Sequence, residues 1–81
     1  MMRIEKWWSV GLESVDKGAF FKLSNLVELD LSYNSLKLVP SESFSPILKL
    51  RELDLSENLI SEIYDNSFAS LPNLKTLNLE R

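Results

Sequence analysis

The chain has 81 residues and a formal net charge of -3, and this length allows one small domain. Hydrophobic residues make up 44% and charged residues 26%, with two Gly and three Pro, which excludes a disordered or collagen-like chain. Because the chain has neither Cys nor His, most enzyme mechanisms are disfavoured and no cofactor is expected. Scattered Lys and Arg disfavour nucleic-acid binding, and no apolar run approaches the roughly 18 residues of a membrane span.

An internal repeat runs along the chain. Sixteen residues are Leu, about twice the usual share. A shift of 24 aligns three sets of leucines: Leu26, Leu50 and Leu74; Leu29, Leu53 and Leu77; Leu31, Leu55 and Leu79. A repeat of this length indicates a solenoid of stacked coils.

Residues 1–25 are interpreted as a degenerate first coil. The repeat predicts four apolar residues here, and all are present: Leu12, Val15, Phe20 and Leu23. The first ten residues fit the repeat poorly and are either a degenerate capping strand, expected near 4–8, or a sequence of different origin joined to the repeat array. In that strand Trp7 points into the core and Trp8 points outward, where it is either a partly exposed side chain or a binding hot spot.

Residues 26–49 and 50–73 form two complete repeats, and residues 74–81 begin a truncated one. Apolar and polar residues alternate along 29–32, as they do in a strand with one buried face. A connection of this length returns the chain parallel to the previous strand. We therefore expect parallel strands near 28–32, 52–56 and 76–79. Their core side chains include Leu29, Leu31, Leu53 and Leu55.

Two further positions of the repeat are predicted to be structural. Asn34 and Asn58 follow the strands where the chain turns, and a buried amide there satisfies backbone groups of two coils. Phe44 and Phe68, together with Phe20, form a column on the opposite side of the coil, where stacked rings fill an irregular wall. The asparagines and phenylalanines are thus assigned to the fold.

The chain resembles the leucine-rich repeat, whose opening is L-x-x-L-x-L-x-x-N-x-L: residues 26–49 read LVELDLSYNSLKLVPSESFSPILK and residues 50–73 read LRELDLSENLISEIYDNSFASLPN. The repeat is 24 residues long and has Phe in its second half. In both respects it is similar to the typical class of leucine-rich repeat, which is found in extracellular animal receptors such as Toll-like receptors and cell-surface proteins with immunoglobulin domains. This resemblance implies an α/β repeat fold, a right-handed horseshoe solenoid with a parallel sheet on the concave face and an irregular or short helical convex side. It also implies a fragment of a longer array.

The polar side chains of the strands define a candidate partner-binding surface on the concave face. Its residues are Glu28, Asp30, Tyr33, Glu52, Asp54 and Glu57, with Trp8 as a further candidate. An acidic surface favours a basic protein partner, with Tyr33 as an aromatic anchor. Asp30 and Asp54 have the alternative interpretation of ordinary solvated positions, and the same alternative stays open for Glu28, Glu52 and Tyr33. A hydrolase or calcium site is disfavoured, because an open sheet offers no pocket with unlike environments.

Three functional interpretations stay open. The first is a non-enzymatic protein-binding module of an extracellular or cell-surface recognition protein. The second is a set of purely structural repeats within a larger solenoid, and the third is an intracellular scaffold. The type of repeat favours an extracellular location, whereas Arg3, Glu5 and Lys6 interrupt the stretch where a signal peptide is apolar. Since the last coil lacks a polar cap, the chain is also expected either to self-associate or to be only marginally folded.

Overall fold

Residues 3–7 and 9–80 are described by a computed structural model. Their strands are β1 (Arg3–Lys6), β2 (Leu26–Asp30), β3 (Glu52–Asp54) and β4 (Thr76–Asn78), and one turn of 3-10 helix spans Ser41–Ser43. The four strands form a parallel sheet in the order β1-β2-β3-β4. Each connection crosses the coil through turns and returns to the sheet, so consecutive strands are neighbours. The predicted parallel sheet is confirmed.

The strand pairing follows the repeat of the sequence. Glu28 of β2 lies beside Glu52 of β3, which lies beside Thr76 of β4, so each step across the sheet advances the chain by one repeat. β3 and β4 are shorter than expected, whereas β2 has the expected length but begins earlier, at Leu26. Backbone hydrogen bonds nevertheless continue past the strand ends, since the Tyr33 N–H donates to the Ser56 carbonyl oxygen at 3.0 Å. The coils are therefore joined over a longer stretch than the strand bounds suggest.

The inward side chains of the strands form the core. The structure places four strand leucines there, each no more than 2% exposed: Leu29, Leu31, Leu53 and Leu55. Burial of a leucine side chain contributes roughly 1.5–3 kcal/mol, so these columns are a main source of stability. In the last described coil the same position is open, because Leu77 is 36% exposed.

Aromatic rings fill the side of the coil opposite the sheet. Phe20 and Phe44 are fully buried. Phe44 stacks on Phe68 with ring centroids 6.5 Å apart, and Phe20 packs against Trp7 at 4.9 Å. Trp7 is half-buried and thus covers the first phenylalanine of the column. Trp8 lies outside the described residues.

A charged residue takes a leucine position in β1. Glu5 lies beside Leu29 in the sheet, at the register where the other strands carry a core leucine. Its side chain is 23% exposed and forms an ion pair with Arg3 at 2.7 Å. β1 lies at the edge of the sheet, and no other described strand pairs with its outer side. A carboxylate that forms an ion pair is therefore tolerated at this core position.

Asn34 ties the first coil to the second. Its side-chain oxygen accepts hydrogen bonds from the backbone N–H groups of Val10 (3.2 Å) and Leu12 (3.0 Å). Its amide nitrogen donates to the carbonyl oxygens of Trp7, Leu31 and Ser32. One buried side chain thus satisfies backbone groups on both coils, which the sheet leaves unpaired where the chain turns.

Asn58 makes the same contacts one repeat later. Its oxygen accepts from the Leu36 N–H at 3.0 Å, and its nitrogen donates to the carbonyl oxygens of Leu31, Leu55 and Ser56 at 2.9–3.1 Å. The side chain is 5% exposed, so water cannot replace these partners. The two asparagines form a ladder along the turn side of the sheet.

Replacement of Asn58 by Leu is expected to destabilise the chain. The substitution keeps the approximate size but removes the partner of the Leu36 N–H, and an unsatisfied buried group costs about 1–3 kcal/mol. Chemical unfolding of Asn58→Leu measures this loss, and amide hydrogen exchange at Leu36 should accelerate. The control Asn66→Leu changes an exposed turn residue and should leave both readouts near those of the parent. Unchanged exchange at Leu36 would contradict the role of the amide.

Candidate functional site

The outward side chains of the sheet line a shallow groove of about 350 Å³. We call the outward carboxylates of β2 and β3 the acidic face, which consists of Glu28, Asp30, Glu52 and Asp54. The groove continues over Thr76 and Asn78 on β4 and over Ile4 and Lys6 on β1. Lys6 lies beside Asp30 in the sheet. It adds a positive charge at a position where both complete repeats carry an aspartate.

Glu28 and Glu52 form the centre of the acidic face. They are direct neighbours on β2 and β3. The hydrogen bond between the two carboxyls raises the pKa of Glu28, and both desolvation and the negative charge of Glu52 act in the same direction. Lys6 opposes this shift. Glu28 therefore holds its negative charge less readily than an isolated glutamate does.

Asp30 and Asp54 have a structural role that the sequence analysis did not assign. Each is half-buried and accepts two hydrogen bonds from the serine two residues later. The Ser32 N–H donates to Asp30 at 2.9 Å and its hydroxyl at 2.5 Å, and Ser56 donates to Asp54 at 2.9 and 2.6 Å. The repeated D-L-S sequence carries this signal. The aspartates fix the end of each strand, so they are not ordinary solvated positions.

Tyr33 and Glu57 extend the acidic face past the strand ends. Both adopt left-handed backbone conformations, with φ of 56° and 54°, which are uncommon for residues other than Gly. Such a conformation costs about 1–3 kcal/mol and persists when neighbouring contacts fix it. Here the N–H groups of both residues donate to the next coil, to Ser56 and Glu80 respectively. The Tyr33 side chain, 61% exposed, is thus presented from a constrained backbone.

A second groove, of about 500 Å³, lies between the loops that follow the asparagine turns. Segments 13–17, 37–43 and 62–67 contribute its lining. Leu38 and Tyr64 are exposed here, and the Tyr64 hydroxyl donates to Glu62 at 2.7 Å. This contact raises the pKa of Tyr64. Sequence reasoning missed the groove, because side-chain directions in irregular segments do not follow the repeat.

The comparison with protein families identifies the class of the chain. The family model described as Leucine rich repeat matches residues 8–58 and 38–81, and these matches span well over half of the sequence. The chain therefore belongs to the leucine-rich-repeat family, and the fold is a leucine-rich-repeat solenoid with a parallel sheet. A search of curated proteins found no match. Proteins of this family are typically non-enzymatic scaffolds, and their repeats commonly bind proteins.

Residues 3–7 and 9–80 contain no helix with the length and hydropathy to span a bilayer. They also contain no group of three or more His, Cys, Asp or Glu side chains arranged to hold a metal ion.

The raised pKa of Glu28 predicts how its replacement by Gln affects stability. The native Glu28 favours folding when it is protonated, and this contribution is complete below the ordinary glutamate pKa and is lost as pH rises through the raised value. Glu28→Gln, which stays neutral, should therefore raise the melting temperature relative to the parent at about pH 7 but not at about pH 3.5. The control Glu13→Gln removes one exposed carboxyl away from the sheet, so it accounts for the change in net charge alone. A difference for Glu28→Gln that does not change with pH would show that the two carboxyls are not coupled.

Proposed function

We propose that the chain is a protein-binding module whose acidic face receives a basic segment of a partner. The observation that carries this proposal is the pairing of Glu28 with Glu52 on adjacent strands. Two neighbouring carboxylates are unfavourable in the free chain, and a Lys or Arg placed between them removes the repulsion. Lys6 supplies only part of that compensation, since the pKa of Glu28 stays raised in its presence.

Tyr33 supplies the apolar contact that charge alone does not. Exposed charges at an interface mainly accelerate association and select the partner, whereas buried aromatic side chains slow dissociation. The exposed ring of Tyr33 follows β2 on the same coil as Glu28, and its left-handed backbone limits the conformations that binding must freeze. A partner that combines basic residues with an apolar pocket fits this surface. We assign Glu57 to the rim of the same surface, and Trp8, which lies outside the described residues, stays a candidate from the sequence alone.

The parent protein in this proposal is an extracellular or cell-surface recognition protein. Two features support the typical class of leucine-rich repeat, which is common in animal receptors. Strands of consecutive repeats pair at equivalent positions, and Phe44 stacks on Phe68. A purely structural set of repeats and an intracellular scaffold are the alternatives. Failure of the acidic face to select any ligand would favour the structural alternative.

Peptide selection tests the acidic face directly. Random peptides displayed on phage and selected against the folded chain should be enriched in Lys and Arg with an aromatic or aliphatic residue. For a selected peptide, Glu28→Lys together with Glu52→Lys should reduce the association rate by on the order of tenfold at low salt. Tyr33→Ala should instead accelerate dissociation. If Tyr33 is a hot spot, the loss of binding free energy is about 2 kcal/mol. Asp30 and Asp54 are left unchanged because they stabilise the turns.

Matched controls separate binding from folding in this experiment. Ser61→Ala changes an exposed loop residue and should alter neither rate. Circular dichroism should show that every variant stays folded. If the selected peptides are neutral or acidic, or if the sheet variants bind as the parent does, the acidic face is not the binding surface.

We also propose that the chain self-associates through the open side of its last described coil. Leu77 is exposed there although it lies at a core register, and Leu79 borders a cavity of about 40 Å³. β4 ends the sheet order, so no described strand pairs with its outer side. A second copy that covers this side would bury apolar surface and complete backbone hydrogen bonds.

Sedimentation velocity over a range of concentrations tests the self-association. The parent chain should show a concentration-dependent increase in sedimentation coefficient. Leu77→Lys should shift the equilibrium toward monomer, because it places a charge in the contact. The control Leu38→Lys changes an exposed leucine in the loops and should associate as the parent does. A compact parent monomer at the highest concentration would contradict the proposal.

A further inference from the structure

Three basic side chains gather on the side of the sheet where the strands begin. Lys49, Arg51 and Lys75, which we call the basic cluster, line an open cavity of about 500 Å³ together with Val27 and Asn73. All three cations are exposed. The lining of this cavity contains no carboxylate, although the chain as a whole carries a net charge of -3. Positive charge is thus concentrated at one place in an acidic molecule.

The repeat fixes the positions of the basic cluster. Val27, Arg51 and Lys75 occupy one position in successive repeats, and Asn25, Lys49 and Asn73 occupy another. The Arg51 N–H donates to the Val27 carbonyl oxygen, and the Lys75 N–H donates to that of Arg51, both at 2.8 Å. Neighbouring strands lie about 4.8 Å apart, so the three cations start from backbone positions on adjacent coils. The cluster is therefore a product of the fold.

The basic cluster lacks internal counter-ions. Arg3 occupies the equivalent position in the first coil and is neutralised by Glu5 at 2.7 Å. In contrast, within the described residues no carboxylate lies within 4.0 Å of the charged nitrogens of the cluster. The Lys49 ammonium donates to the Asn25 side-chain oxygen at 3.1 Å, which orients the charge without removing it. An external anion would supply the missing compensation.

We propose that the basic cluster is a second interaction surface, which binds a short acidic segment of a protein partner. A single small anion would gain little, because an exposed ion pair is worth about 0.2–1 kcal/mol. In an extended peptide, alternate residues are about 6.6–7 Å apart on one side, so carboxylates at such positions reach two or three cations at once. The cluster therefore favours a segment over an isolated ion.

The surroundings of the basic cluster favour a short protein segment over a long polyanion. Arg51 borders Glu52 in the sequence, and Glu52 belongs to the acidic face. A nucleic acid or sulfated polysaccharide that extended beyond the cluster along the strands would meet these carboxylates. A segment of a few residues, with neutral or basic residues after its carboxylates, avoids that repulsion. This inference does not depend on whether the acidic face binds a ligand.

Labelled peptides test the basic cluster on the whole chain. The probe is a short peptide of alternating Glu and Ser, and its controls replace every Glu by Gln or by Lys. By fluorescence anisotropy at low salt, the Glu peptide should bind more tightly than the Gln peptide, and added NaCl should weaken its binding. The sign of the salt effect is decisive, because repulsion from the net negative charge would make added salt strengthen the binding of an acidic peptide. Amide resonances of Val27, Lys49, Arg51 and Lys75 should shift on titration.

Charge-neutralising variants locate the binding. Lys49→Gln and Lys75→Gln should each weaken binding of the Glu peptide about two- to fivefold. The triple variant, in which Lys49, Arg51 and Lys75 are all replaced by Gln, should lose affinity for the Glu peptide by on the order of tenfold or more. Lys37→Gln removes an exposed lysine elsewhere and should leave the affinity unchanged. Melting curves should be alike for all these variants, because only exposed side chains are altered.

The same measurements can overturn the proposal in three ways. Equal binding of the Glu and Gln peptides would show that charge does not select the ligand. An equal loss with Lys37→Gln would show that only overall charge matters. Much tighter binding of a heparin fragment or a DNA oligonucleotide of matched charge would assign the cluster to another class of partner. The acidic face is tested with separate variants and basic ligands, so the two proposals fail or succeed independently.

Discussion

The buried amides of Asn34 and Asn58 are the interaction on which the solenoid depends. Where each strand ends the chain must turn, and its backbone groups lose their sheet partners while they stay away from water. Each asparagine satisfies donors and acceptors on two coils, so the turn and the stacking of coils form together. The leucines supply burial, but burial is not directional. The amide ladder fixes the register at which the leucine columns align.

The turns that hold the coils together also set the candidate binding surface. Asp30 closes the end of β2 through Ser32, and Tyr33 follows in a left-handed conformation next to Asn34. The exposed Tyr33 ring is therefore supported by structural contacts on both sides of it in the chain. A substitution at Asp30 would disturb the tyrosine as well as the charge. Of the acidic face, only Glu28 and Glu52 can be replaced without loss of such a turn contact. Substitutions at these two residues therefore report on charge and not on the turn.

The sequence predicted the features that follow directly from periodicity. The shift by one repeat was sufficient for the parallel pairing of β2, β3 and β4, because a connection of that length returns the chain parallel to the previous strand. It was not sufficient for the strand bounds, since hydrogen bonds continue past them. The roles of Asp30 and Asp54 depend on local contacts with Ser32 and Ser56, which alternation does not reveal. The loop groove around Leu38 and Tyr64 and the basic cluster depend on the distances between coils, which only the folded chain provides. Trp8 lies outside the described residues, and its role stays a prediction.

The two proposed surfaces have opposite charge and meet where β3 begins. Arg51 lines the cavity of the basic cluster, and Glu52, the next residue, lines the groove of the acidic face. A partner that lies along the strands therefore crosses from a region that favours carboxylates to one that favours ammonium or guanidinium groups. If the same segment bound in the opposite direction, its carboxylates would lie at the acidic face and its cations at the basic cluster. Both contacts would then be repulsive. On the two proposals together, the juxtaposition would select the direction of a bound segment as well as its composition, even though each exposed charge contributes little by itself.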